Sequence, residues 1–220
     1  MRVTNIILLV LFLCCSSVVF GQKQEITREK FNAAEEKASG RQPRQNYRIT
    51  TKNESFVDGK IEKTQIIIYE SLLPDRSRSK STDIVGNKST EFEQIRIGYY
   101  EYTRIDGGKW EKRDLRGSRA GVGSLLRYAG KTLSSKYMVA AEKLDDQPVQ
   151  VYEEYTEVEE TLGLRYNRRK FWVDANGAII RRASEYGHVN PEKLVSSSVT
   201  TYEYNLKDLK IEAPVMPKKP

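Results

Sequence analysis

The chain has 220 residues, a formal net charge of +7, one histidine and two cysteines, and 30% of its residues are charged. That length suits one domain with a sizeable core. A lone histidine beside two adjacent cysteines excludes the usual His/Cys metal sets, and Lys and Arg alternate with Asp and Glu along most of the chain.

Met1-Arg2, the apolar run Ile6 to Leu13, and Val19-Phe20-Gly21 before polar Gln22 follow the order of a secretory signal peptide, residues 1–21. A retained anchor is the rival reading, but the apolar run stops at Cys14-Cys15-Ser16-Ser17, short of the roughly 20 residues a spanning helix needs. Acylation at Cys14 is also disfavoured, because Leu13 stands where a small residue belongs. Cleavage after Gly21 predicts a periplasmic or secreted chain, residues 22–213, without cysteine, and therefore without a disulfide or a thiol nucleophile. Residues 214–220 are expected to be a disordered tail.

Ile26 to Ser39 lacks Gly and Pro, places Phe31, Ala34 and Ala38 at helical spacing, and meets Gly40 as a stop. From Tyr47 the period changes to two. Strands are predicted around Tyr47 to Thr51, Ile61 to Tyr69, Phe92 to Tyr102, Tyr137 to Ala141, Val149 to Tyr155, Leu164 to Val173, Ala178 to Tyr186 and Ser198 to Tyr204. Turn signals fall at Asp58-Gly59, Asp106-Gly107-Gly108, Asp145-Asp146 and Asn176-Gly177. One interruption is helical: Val122, Leu125, Leu126 and Ala129 lie at i, i+3, i+4 and i+7. The predicted class is α+β, mostly antiparallel β, with strands that bury one face and wet the other. An open, curved half-barrel sheet with an N-terminal helix and a short central lid helix satisfies that pattern.

Little in the chain carries chemistry. His188 lacks a partner in sequence, no Gly-x-Ser-x-Gly elbow occurs, and Gly121-Val122-Gly123 lacks the Gly-Lys-Ser/Thr of a phosphate loop. Glu153-Glu154, Glu157 and Glu159-Glu160 lack the spacing of a calcium loop. Asn53-Glu-Ser55 and Asn87-Lys-Ser89 fit a glycosylation sequon, which matters only in a eukaryotic host. No cofactor, no metal and no catalysis are expected. Basic stretches at Arg76 to Lys80, Lys112 to Arg119 and Arg165 to Lys170 favour, in an exported chain, an anionic lipid surface over nucleic acid; a solvated basic face is the plainer reading.

Three stretches carry a family resemblance. Tyr166-Asn-Arg-Arg-Lys-Phe-Trp172-Val-Asp174 with its return to Arg182, Ile95 through Tyr102 to Trp110, and Thr201-Tyr-Glu-Tyr204 to Pro214 are similar to the LolA/LolB-like superfamily of periplasmic lipoprotein carriers. The resemblance implies an open half-barrel with a helical lid, whose apolar concave face shelters acyl chains in transport to the outer membrane. Each buried methylene would contribute about 0.8 kcal/mol to such binding. Arg48 stands at a plausible place for the family's strand arginine that ties down the lid, but its surroundings do not match and the role is not carried over.

The expected ligand wall, read from alternation, is Tyr47, Ile49, Ile66, Ile68, Ile95, Ile97 and Tyr102, with Val122, Leu125 and Leu126 as cover. The expected partner is a lipid or lipidated protein, taken by a monomer in transient contact with a membrane surface. An envelope sensor that recognises a protein partner on the same fold is the alternative.

Overall fold

The computed structural model describes residues 22–41, 46–116, 130–161 and 163–216. A two-residue strand β1 (Gln24–Glu25) precedes helix α1 (Arg28–Gly40). Then follow β2 (Tyr47–Val57), β3 (Lys60–Leu72), β4 (Arg76–Val85), β5 (Lys88–Ile97), β6 (Tyr100–Ile105) and β7 (Glu111–Asp114). The second half supplies β8 (Lys131–Leu144), β9 (Gln147–Glu160), β10 (Gly163–Val173), β11 (Ile179–His188) and β12 (Lys193–Tyr204). All pair antiparallel in one open sheet of twelve strands, ordered β1-β8-β9-β10-β11-β12-β2-β3-β4-β5-β6-β7.

The turns work as their residues require. Asp58 and Gly59 adopt φ of 52° and 74°, and Asp145 and Asp146 adopt 50° and 62°, so both hairpins close with left-handed residue pairs that match strand twist. Aspartate tolerates this region better than most side chains, which is why β8 and β9 can join without a glycine. Thr27 caps α1, its hydroxyl accepting from the Lys30 amide at 3.4 Å. The predicted stop at Gly40 falls one residue early: Gly40 is still helical, and the Arg41 amide closes the last turn onto Ala38 and Ser39.

Directly paired residues in antiparallel strands share a face. The register Phe171–Arg182–Thr200–Thr51–Ile67–Ser81–Phe92–Ile105 therefore marks one face across β10, β11, β12 and β2 to β6. α1 packs on this face. Phe31, 1% exposed, sets its ring 5.3 Å from those of Tyr137 and Phe171, and Phe171 stacks on Tyr152 at 4.8 Å. Ala38, Val173 and Ile179 complete that core.

The opposite face has its own small core at the other side of the sheet. Ile95 and Tyr102, paired across β5 and β6, pack with Ile211 from the C-terminal segment, which is 2% exposed. Arg76 Nη1 donates to the Ile211 carbonyl at 3.0 Å and holds that segment in place. No regular element occurs between Asn205 and Met216.

Two sequence expectations are revised. The basic stretch from Arg76 to Lys80 is strand β4: Arg76, Arg78 and Lys80 face one side and Ser77 and Ser79 the other. Gly98-Tyr99, read as part of a strand, is instead the turn between β5 and β6, with Gly98 at φ 56°. The predicted central lid helix, Val122 to Ala129, lies outside the described residues. Among the described residues α1 is the one helix.

Candidate functional site

The predicted wall divides between the two faces. Tyr47 and Ile49 lie on the α1 face, with the Tyr47 ring 6.0 Å from that of Tyr69. Ile66, Ile68, Ile95, Ile97 and Tyr102 lie on the other. No single surface carries all seven. Ile95 and Tyr102 are buried beneath Ile211, and Ile97 packs against the same cluster. Ile66 and Ile68 are half-buried; Ile68 borders a groove of about 310 Å³ whose other walls are Arg48, Thr50, Glu70, Arg78, Lys80 and Glu203. Val122, Leu125 and Leu126 lie outside the described residues.

That opposite face is laced with ion pairs. Arg48 joins Glu70 at 2.8 Å and Glu203 at 3.3 Å. Arg78 and Arg104 both grip Glu93, at 2.9 and 2.6 Å, and Arg104 also stacks on Trp110 at 4.6 Å. Towards the β8 edge, Glu153 meets Lys23 at 2.7 Å, Arg168 at 3.4 Å and Lys170 at 3.6 Å. Burial pushes the Glu153 carboxyl up, but the Lys23 hydrogen bond and the charges of Lys170, Lys23 and Arg168 outweigh it and hold it below the ordinary range. Arg78, Lys80, Arg168, Arg169 and Lys170, which read as basic patches, thus have carboxylate partners. Lys112 instead lies 3.8 Å over the Tyr100 ring.

A further site lies under the C-terminal half of α1. A cavity of about 550 Å³ opens between the helix and the ends of β8, β9 and β10. Ala34 and Ala38 form its helical wall; Ala141, Pro148, Tyr152 and Val173 form much of its sheet wall. The two alanines explain the space, since larger side chains at those positions would fill it. The same spacing that docks Phe31 points both alanines at the sheet. Tyr152 keeps its hydroxyl on Gln150 Oε1 at 2.9 Å, and burial raises its pKa.

The rim is polar. Exposed Lys37 and Arg41 stand on the helix side, and the turn from Asp174 to Gly177 stands opposite. That turn is tightly held: Asp174 Oδ1 accepts from the amides of Asn176 at 3.0 Å and Ala178 at 2.8 Å. Arg41 Nη1 donates to the Asn176 carbonyl at 3.2 Å. Gly177 has φ 81°, and a Cβ there would lie 2.5 Å from Arg41 Nη1, so a side chain would displace the guanidinium. Sequence reasoning found Ala34, Ala38 and the Asn176-Gly177 turn, but not that they meet. Only the helical spacing of the two alanines hinted at it.

No group of three or more His, Cys, Asp or Glu residues suited to a metal occurs among the described residues.

The fold defines a class: an open, wholly antiparallel twelve-stranded sheet carrying one N-terminal helix on one face. Among solved structures, a LolA superfamily protein from Nitrosomonas europaea is similar, over 84% of this chain and 96% of that one, with 11% identity and a TM-score of 0.29. The sequence matches no protein-family model and no curated protein.

Proposed function

We propose that this is an exported, non-catalytic binding or carrier protein that shelters the acyl part of a lipid or lipidated protein in the cavity between α1 and β8–β10. The observation that carries the reading is the cavity itself. It is about 550 Å³, walled by Ala34, Ala38, Ala141, Pro148, Tyr152 and Val173, within the size range of small-ligand sites. An alkyl chain placed there gains about 0.8 kcal/mol for each methylene removed from water, without any covalent step. On this reading the ligand lies on the α1 face rather than along the isoleucines of β3 and β5. The groove beside Ile68 on the opposite face is walled mainly by charged side chains, whose desolvation opposes an acyl chain.

Two measurements test this. Native mass spectrometry of protein purified from its own host should show an acyl-bearing adduct, and an environment-sensitive fluorescent fatty acid should bind at one site. Replacing Ala38 with Leu fills the cavity and should abolish fluorescence enhancement while leaving circular dichroism intact. Absence of both adduct and fluorescence overturns the reading.

A further inference from the structure

Resting on the acyl-binding reading above, we propose that the cavity selects single-chain amphiphiles with an anionic head group, a carboxylate or a phosphate, held at the rim by Lys37 and Arg41. A cation at a helix C-terminus is ordinary, because it offsets the partial negative charge of the last carbonyls. Two further features mark this pair.

The first is pairing. On the sheet, Arg48, Arg78, Arg104, Arg168 and Arg169 each have a carboxylate within 4 Å, while Arg165 and Arg181 have none among the described residues, and on α1's other flank Arg182 reaches Glu35. Among the described residues, Lys37 has no ion pair, and Arg41 is held only by the neutral carbonyl of Asn176. Two exposed cations thus stand without a carboxylate at the mouth of the apolar cavity. Asp174, the acid on the rim, spends its oxygens on the amides of its own turn and on Asn176 Nδ2 at 3.3 Å. The rim keeps a net positive charge.

The second is placement. Arg41 is not a loose surface side chain: it lies against Gly177, a position without a Cβ, and is tethered to the carbonyl beside it. Only one guanidinium nitrogen is engaged in that bond, so the remaining N–H donors can form the paired contacts that carboxylates and phosphates accept. An alkyl chain running under Ala38 would bring its head out between Lys37, one turn back on the helix, and Arg41.

The test compares dodecanoate, dodecyl phosphate, dodecanol and dodecyltrimethylammonium by displacement of the fluorescent fatty acid. The expected result is binding of both anions about tenfold or more tighter than the alcohol, with the cation weakest. The double variant Lys37→Gln/Arg41→Gln should bind the alcohol unchanged and lose the preference for anions. Circular dichroism and urea unfolding of the double variant check that loss of the Arg41–Asn176 bond leaves the fold intact; Arg41→Lys separates paired recognition from bare charge. Equal affinity for alcohol and anions, or an unaltered preference in the double variant, overturns the head-group assignment and leaves the acyl site standing. Failure of all four to bind overturns both. A preference for one anion over the other identifies a fatty-acid-like or a phospholipid-like ligand.

Discussion

The sheet is covered twice, on opposite faces, and the two covers are built from different physics. At β8 to β11, α1 is fastened by Phe31 wedged among Tyr137, Phe171 and Ile179, and the rest of its contact is alanine over a hollow. At β4 to β6 an irregular segment is fastened by Ile211 on Ile95 and Tyr102, and beside it Glu93, 3% exposed, lies in the grip of Arg78 and Arg104. An apolar anchor at one end of a helix leaves the other end free to line a cavity. A charged lattice does not, because every buried carboxylate there demands its cations. The first cover can make room for an apolar guest, and the second is committed to the chain itself.

Mutations should separate the two. Phe31→Ala removes the largest fully buried anchor of α1 and should cost about 3–5 kcal/mol in urea unfolding. It should also empty the cavity site by releasing its helical wall, so fatty-acid binding falls with stability. Ile211→Ala should cost about 2–5 kcal/mol, yet leave fatty-acid affinity within twofold, because the C-terminal segment lies on the other face. Loss of binding in Ile211→Ala would mean that the covers are coupled. Glu93→Gln should cost about 1–3 kcal/mol, since Arg78 and Arg104 lose their shared charge but are themselves 40% and 31% exposed and can rehydrate.

Most strands are legible because their ends are marked. Asp58-Gly59, Asp145-Asp146 and Asn176-Gly177 all turn where they are predicted to turn. β4 escaped because it alternates Arg with Ser and has no apolar stripe to betray its period. Its pattern was visible as charge alternation, but only pairing with β3 and β5 sets Arg78 opposite Glu70 and within reach of Glu93. The face of each isoleucine was not legible at all. Ile66, Ile67 and Ile68 are equally apolar, and a shift of one residue in register exchanges their faces. Assigning Ile67 to the α1 face and its neighbours to the other needs the register followed from β10 to β3. The cavity joins residues from α1, β8, β9 and β10 with the turn after β10, separated by over a hundred positions, and local spacing carries no record of that meeting.

The smallest predicted effect concerns the β8 margin, where Lys23 beside β1 reaches across to Glu153. Glu153 has a carboxyl held below its ordinary value near 4.5. The unfolded chain therefore takes up this proton at higher pH than the folded one. The resulting stabilisation is present in full above about pH 5 and disappears as the pH falls through the lowered folded value. Lys23→Ala removes the strongest of the lowering influences while Lys170 and Arg168 remain. In the variant the folded value lies closer to the unfolded one, so less stability should be lost on acidification than in the parent chain, and the two should converge at low pH, where Glu153 is protonated in both. At neutral pH the difference should be no more than about 1 kcal/mol, because Lys23 is 47% exposed and its charge is well hydrated in either state. Urea unfolding from pH 3 to pH 7 measures this. A difference that stays constant across the range would show that Lys23 acts through the packing of its stem and the docking of β1, rather than through the carboxylate.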